Sequence, residues 1–124
     1  MSPRVLAFNI RDDKKISQLN ILSIRLNFSL SVVPPERQGC LIRDLLSGAP
    51  SSPAPVRPFR DEMLVMADFD HADLNFLLNE LIRTGQRISL KAVATPTNIH
   101  WTAVQLHQQL LAEARSMQGK TETR

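Results

Sequence analysis

A handful of side chains in this sequence could move a proton or hold a charged group. Asp12-Asp13, Asp68, Lys91 and Thr95 are the carboxylates, amine and hydroxyl that a phosphoryl acceptor needs, and His71, His100 and His107 could serve as bases or metal ligands. Neither set closes. The acids at 12, 13 and 70 stand where helix N-caps belong, and Lys91 falls inside an apolar run. His100 and His107 are seven residues apart rather than the four of a helical metal pair, and no HExxH is present. Cys40 is the only cysteine, which excludes an intrachain disulfide. Gly39, Gly48, Gly85 and Gly119 are scattered and form neither GxGxxG nor a phosphate-cradling GxxxxGK[ST] loop. The expectation is a noncatalytic protein with no cofactor and no metal.

The most constrained stretch is LKAVATPTNIHW, residues 90–101. Pro96 restricts Thr95 to extended backbone, and Thr97 and Asn98 can bond nearby amides, as a turn requires. Thr102 and Gln105 then have capping-box spacing, with Trp101 placed to staple the new helix by packing on Leu106. The stretch is a built corner between a strand and a helix.

The elements that must position these residues follow from periodicity. Continuous apolar runs over 5–10 (VLAFNI) and 62–67 (EMLVMA) suit strands buried on both faces, and 28–33 (FSLSVV) and 88–93 (ISLKAV) are rich in β-formers. Ile16, Leu19, Leu22 and Leu26 make a helical stripe after a cap at Asp12 or Asp13. Leu74, Leu77, Leu78, Leu81 and Ile82 make another between Asp70 and Gly85. A short helix is expected over about 36–46, with Leu41 and Leu45 inward and Gly48 at its end. A last one is expected over about 102–117, on Ala103, Leu106, Leu110 and Ala114. Residues 49–60, dense in proline and containing PxxP spacings, read as an extended connector, and 118–124 as a frayed tail.

Both halves, 1–48 and 61–117, therefore follow the order strand, helix, strand, helix, and FSLSVV overlays ISLKAV. The expected fold is a single α/β domain: a doubly wound, mainly parallel four-stranded sheet in order 2-1-3-4, with helices on both faces. In such sheets ligands bind beyond the carboxyl ends of the strands. That rule gathers Asn9 and Arg11 after strand one, Asp68 after strand three, and Thr95, Pro96, Thr97 and Asn98 after strand four into one candidate site, with Lys91 and Trp101 beside it.

The string Leu90-Lys91-Ala92-Val93, Thr95-Pro96-Thr97-Asn98, Trp101-Thr102, preceded by Glu62-Met63-Leu64-Val65 and an amphipathic helix, resembles a bacterial domain-of-unknown-function family, number 3783, of small uncharacterised proteins. The likeness covers roughly residues 62–114. It implies that Lys91, Thr95, Pro96, Thr97, Asn98 and Trp101 are the signature, and it carries over no activity, substrate or catalytic residue.

Composition sets the outer bounds. A chain of 124 residues, 43% hydrophobic, can bury one core, and 15 Lys+Arg against 12 Asp+Glu is a mild excess interrupted by acids. Few aromatics accompany the arginines at 57, 60, 83 and 87, which argues against nucleic acid. The apolar run near the N-terminus is too short for a signal core or a membrane span, so a cytoplasmic protein is expected. The function expected is a noncatalytic protein-interaction or self-assembly module; the alternative is a small-ligand or anion-binding protein, an enzyme among the choices, with its site at the strand ends.

Overall fold

The computed structural model describes residues 2–122. Four strands form one sheet in the order β2-β1-β3-β4: β1 (Arg4–Phe8), β2 (Ser29–Val33), β3 (Met63–Ala67) and β4 (Leu90–Val93). Four helices accompany them: α1 (Asp13–Leu26), α2 (Ile42–Ser47), α3 (His71–Arg83) and α4 (Ala103–Glu122). The α4 range passes the end read from its stripe, and the last two residues of the expected tail lie outside the described residues. The central strands β1 and β3 are buried almost throughout, as their unbroken apolar runs demand.

Each face of the sheet carries its own core. Val5, Ala7, Leu64 and Met66 point to the side covered by α1 and α3, where they meet Leu19, Leu22, Leu77 and Leu81. Leu6, Phe8, Met63 and Val65 point to the other side, where Ile42, Leu45, Ala103 and Leu106 from α2 and α4 cover them. The alternation along β1 and β3 is the two-residue period of a strand, and it divides the core in two. Caps hold the α1/α3 layer: the Asp12 carboxylate accepts from the Lys14 amide, that of Asp70 from the Asp73 amide, and Asn27 closes α1 in the left-handed region.

The strand order is the expected one, but the sheet is mixed rather than mainly parallel. β1–β2 and β3–β4 are parallel pairs, whereas β1 and β3 run antiparallel, with Leu6 opposite Val65. The reason lies in the connector. α2 runs from the end of the sheet where β2 finishes back to the opposite end; a short loop there would have started β3 parallel to β1. Residues 49–60 instead travel the length of the sheet again. Ala54 N–H donates to the Gly39 carbonyl at 3.1 Å, and Phe59 is buried against Phe8, so β3 starts at the end where β1 stops.

Gly39 also explains why the second helix is shorter than expected. A 3-10 turn at Pro35–Arg37 takes the place of its first turn, and Ile42 rather than Leu41 faces the core with Leu45. Between turn and helix, the backbone of Gly39 lies against the connector: a Cβ there would sit 2.1 Å from the Ala54 carbonyl oxygen. Gly48, at φ 72°, ends α2 as expected. Replacing Gly39 by Ala must push the connector at Ala54 away from the segment between the 3-10 turn and α2. The expected loss is about 1–3 kcal/mol, the usual size of an overpacking penalty; a urea midpoint identical to wild type would contradict the contact.

Candidate functional site

Antiparallel β1 and β3 point their carboxyl ends in opposite directions, and this divides the site expected from the sequence. Asn9 and Arg11 lie at one end of the sheet; Asp68, Thr95 and Pro96 lie at the other, beside Arg4 at the start of β1. No single cleft gathers them.

At the β3/β4 end, a cavity of about 480 Å³ opens between the sheet, the end of α2 and the corner that follows β4. Leu46, Ala67, Ala94, Pro96 and Ile99 make its walls apolar, and Arg4, Arg43, Asp68 and Thr95 supply its polar rim. Asp68 adopts φ 65°, a conformation that Asp tolerates better than most residues, and this turns the chain at once into the cap of α3. The Arg4 guanidinium donates to the Leu46 carbonyl and so ties β1 to the last turn of α2. Arg43 lies 3.5 Å from Asp44.

The corner itself is closed by its own side chains. Asn98 Oδ1 accepts from the Thr95 amide at 2.8 Å, its Nδ2 donates to the Val93 carbonyl at 3.0 Å, and Thr95 Oγ1 accepts from the Asn98 amide. The expected capping box is present in both directions: the Thr102 amide donates to Gln105 Oε1 at 2.8 Å, and the Gln105 amide to Thr102 Oγ1 at 3.1 Å. Trp101 packs on the cluster that holds Leu106, and its carbonyl accepts from Ile42, joining the corner to α2. Thr97 is exposed. Lys91 Nζ reaches back to the Ile88 carbonyl at 2.8 Å, and partial burial, then the neighbouring Arg87 charge, holds its pKa below the ordinary lysine value. A lysine pKa lowered by folding costs stability at neutral pH; that cost starts to fall as pH passes the folded value and is gone only above the ordinary value of the unfolded chain.

The residues that carry the family resemblance are thus β4, this corner and the start of α4. Residues 62–117 match DUF3783, a domain of unknown function. No curated protein and no solved structure matches the chain. The DUF3783 segment comprises β3, α3, β4 and most of α4, one of the two halves, and in this chain its strand β3 is completed by pairing with β1.

At the opposite end of the sheet, Asn9 and His107 meet three residues that no motif singles out, Gln38, Phe59 and Asp61. Asn9, at φ 62°, donates through Nδ2 to the Phe59 and Asp61 carbonyls at 2.8 and 3.0 Å. Buried Gln38 accepts from the Phe59 amide at 2.8 Å and donates to Asn9 Oδ1 at 3.3 Å. His107 stacks on Phe59 with ring centres 4.2 Å apart, and its Nε2 lies 2.8 Å from Asp61 Oδ2. Asn9 therefore positions the connector. A signal for this existed: Phe59 is the lone aromatic in the proline-dense stretch, where an exposed linker has no use for one. Among the described residues no group of three His, Cys, Asp or Glu could hold a metal ion.

Two substitutions separate the parts of the corner. Asn98→Ala strips hydrogen bonds from the Thr95 amide and Val93 carbonyl and is expected to cost roughly 2–3 kcal/mol. Thr102→Ala removes half the capping box and is expected to cost about 1 kcal/mol. Chemical denaturation measures both, and equal effects from the two would contradict the central place given to Asn98.

Proposed function

We propose that the protein is a noncatalytic interaction module that docks an apolar anchor of a protein partner in the cavity bounded by Leu46, Ala67, Ala94, Pro96 and Ile99. The observation that carries this reading is the division of labour at the corner: its polar side chains bond its own backbone, so an apolar concavity is what the site offers to another molecule. Apolar pockets that exclude water around a few anchors supply most of the energy of protein association. A second copy of the chain is an allowed partner under this reading. A cytoplasmic setting is supported by the single, buried Cys40, and no helix among the described residues is long and apolar enough to cross a membrane.

A second reading has a specific observation behind it. Arg4 and Arg43 stand at the rim of an apolar cavity whose volume, about 480 Å³, falls in the range of small-molecule sites. A carboxylate on a short apolar tail would suit that combination.

Ser47 is exposed at the mouth of the cavity, so Ser47→Trp covers it without entering the core. Native mass spectrometry on protein recovered from its own cells is expected to show a heteromeric complex or a multiple of 14.0 kDa. Ser47→Trp should weaken that assembly at least tenfold, while Arg11→Gln at the far end of the sheet leaves it unchanged. Assembly equally strong in Ser47→Trp would place the interface elsewhere. A thermal shift with short acyl carboxylates, abolished by Ser47→Trp, would favour the small-ligand reading instead, since a ligand at a hundredfold excess over its Kd stabilises by about 2.7 kcal/mol.

A further inference from the structure

At the end of the sheet away from that cavity, three arginines converge. Arg11 from the β1–α1 loop and Arg57 and Arg60 from the connector line one depression of about 530 Å³, whose remaining walls are Asn9, Pro35, Pro58 and Phe59. No acidic residue lines it. A neighbouring depression shares Arg11 and Arg60 and adds Asp12 and Glu62, but both of those carboxylates are engaged: Asp12 caps α1, and Glu62 pairs with Lys15. Asp61 is held by His107. Among the described residues, none of the three arginines makes an ion pair with a carboxylate.

The surroundings hold the three guanidinium-bearing residues in place. Phe59 and Asp61, on either side of Arg60, both bond through their carbonyls to Asn9 Nδ2. Phe59 is buried between Phe8 and His107 and locked through its amide to Gln38. Arg57 precedes Pro58 and is thereby restricted to extended backbone. Arg11 lies between buried Ile10 and the Asp12 cap. Like charges brought together on a braced scaffold repel one another, and a bound anion relieves that repulsion.

We propose that the cup formed by Arg11, Arg57 and Arg60 binds a small molecule through a diphosphate or triphosphate group. Guanidinium forks match phosphate oxygens two at a time, and three of them suit several negative charges on adjacent phosphorus centres better than one carboxylate. A nucleic-acid backbone is a poorer fit. It needs an extended basic track and aromatic faces for stacking, whereas this basic group is confined to one depression and its one aromatic ring is buried in the core. Asn9 and Gln38 act as positioning residues, since their side-chain amides bond the connector and each other.

The test uses the full chain and isothermal titration with inorganic pyrophosphate and triphosphate, repeated with sulfate at matched ionic strength and with a short single-stranded oligonucleotide. Pyrophosphate or triphosphate is expected to bind with a saturable isotherm that weakens as salt rises, and sulfate at the same ionic strength is expected to bind far more weakly. Each of Arg11→Gln, Arg57→Gln and Arg60→Gln should weaken binding about tenfold, the size of one lost charge-assisted hydrogen bond. Arg43→Gln at the opposite end should leave it unchanged. All four side chains are exposed, so the variants should keep the wild-type melting temperature, which is checked first. Absence of heat with both polyphosphates, equal binding by the Arg11/Arg57/Arg60 triple Gln variant, or tight binding of the oligonucleotide without the polyphosphates would each overturn the proposal.

Discussion

The antiparallel pairing of β1 with β3 is the constraint on which the rest of this structure depends. It joins two units, each a parallel strand pair with one helix on either face, through a register centred on Leu6 and Val65. A two-fold axis through that pair carries Phe8 onto Ala67 and therefore Asn9 onto Asp68, and those two residues share the left-handed conformation, at φ 62° and 65°. On the α2/α4 side the same relation recurs as a small antiparallel bridge. Leu41 faces Thr102, with Ile42 N–H donating to the Trp101 carbonyl and Ala103 N–H to that of Cys40. The helices α2 and α4 thus start from one shared junction and diverge toward opposite ends of the sheet.

That geometry accounts for the two depressions. Each end of the sheet receives the carboxyl ends of one strand pair and the amino ends of the other, and different chain segments finish the two. At the β3/β4 end, the last turn of α2 and the 95–101 corner leave an apolar hollow. At the β1/β2 end, the connector fills the equivalent space with Phe59 and brings Arg57 and Arg60 to the surface beside Arg11. A plug at one end and a hollow at the other mean that two similar halves offer different chemistry.

Much of this was readable from residue patterns. The strand order, the caps at Asp12 and Asp70, the glycine stop at Gly48 and the reciprocal Thr102–Gln105 box each depend on interactions within a few residues, which composition and spacing record. The direction of β3 was not readable. It is decided by contacts of the connector with residues far away in sequence, Ala54 with Gly39 and Phe59 with Gln38, and no local propensity encodes them. For a β3 parallel to β1, the rule that ligands sit beyond the carboxyl ends of parallel strands groups Asn9 and Arg11 with Asp68 and Thr95; the antiparallel pairing separates them. The overlay of FSLSVV on ISLKAV was one residue out for a related reason. The pairings align Ser29 with Leu90 and Val32 with Val93, a register set by β1 and β3 rather than by the strands compared.

The most direct test is the distance between spin labels at positions 11 and 95, introduced as cysteines in a chain carrying Cys40→Ala. Five-residue strands at about 3.3 Å per residue separate the two ends of this sheet by roughly 17 Å before the loops and labels are added. A single distribution centred above about 20 Å is the result that opposite ends require. A distribution centred near 10 Å would put both loops at one end of a parallel sheet and contradict the division of the surface into two sites.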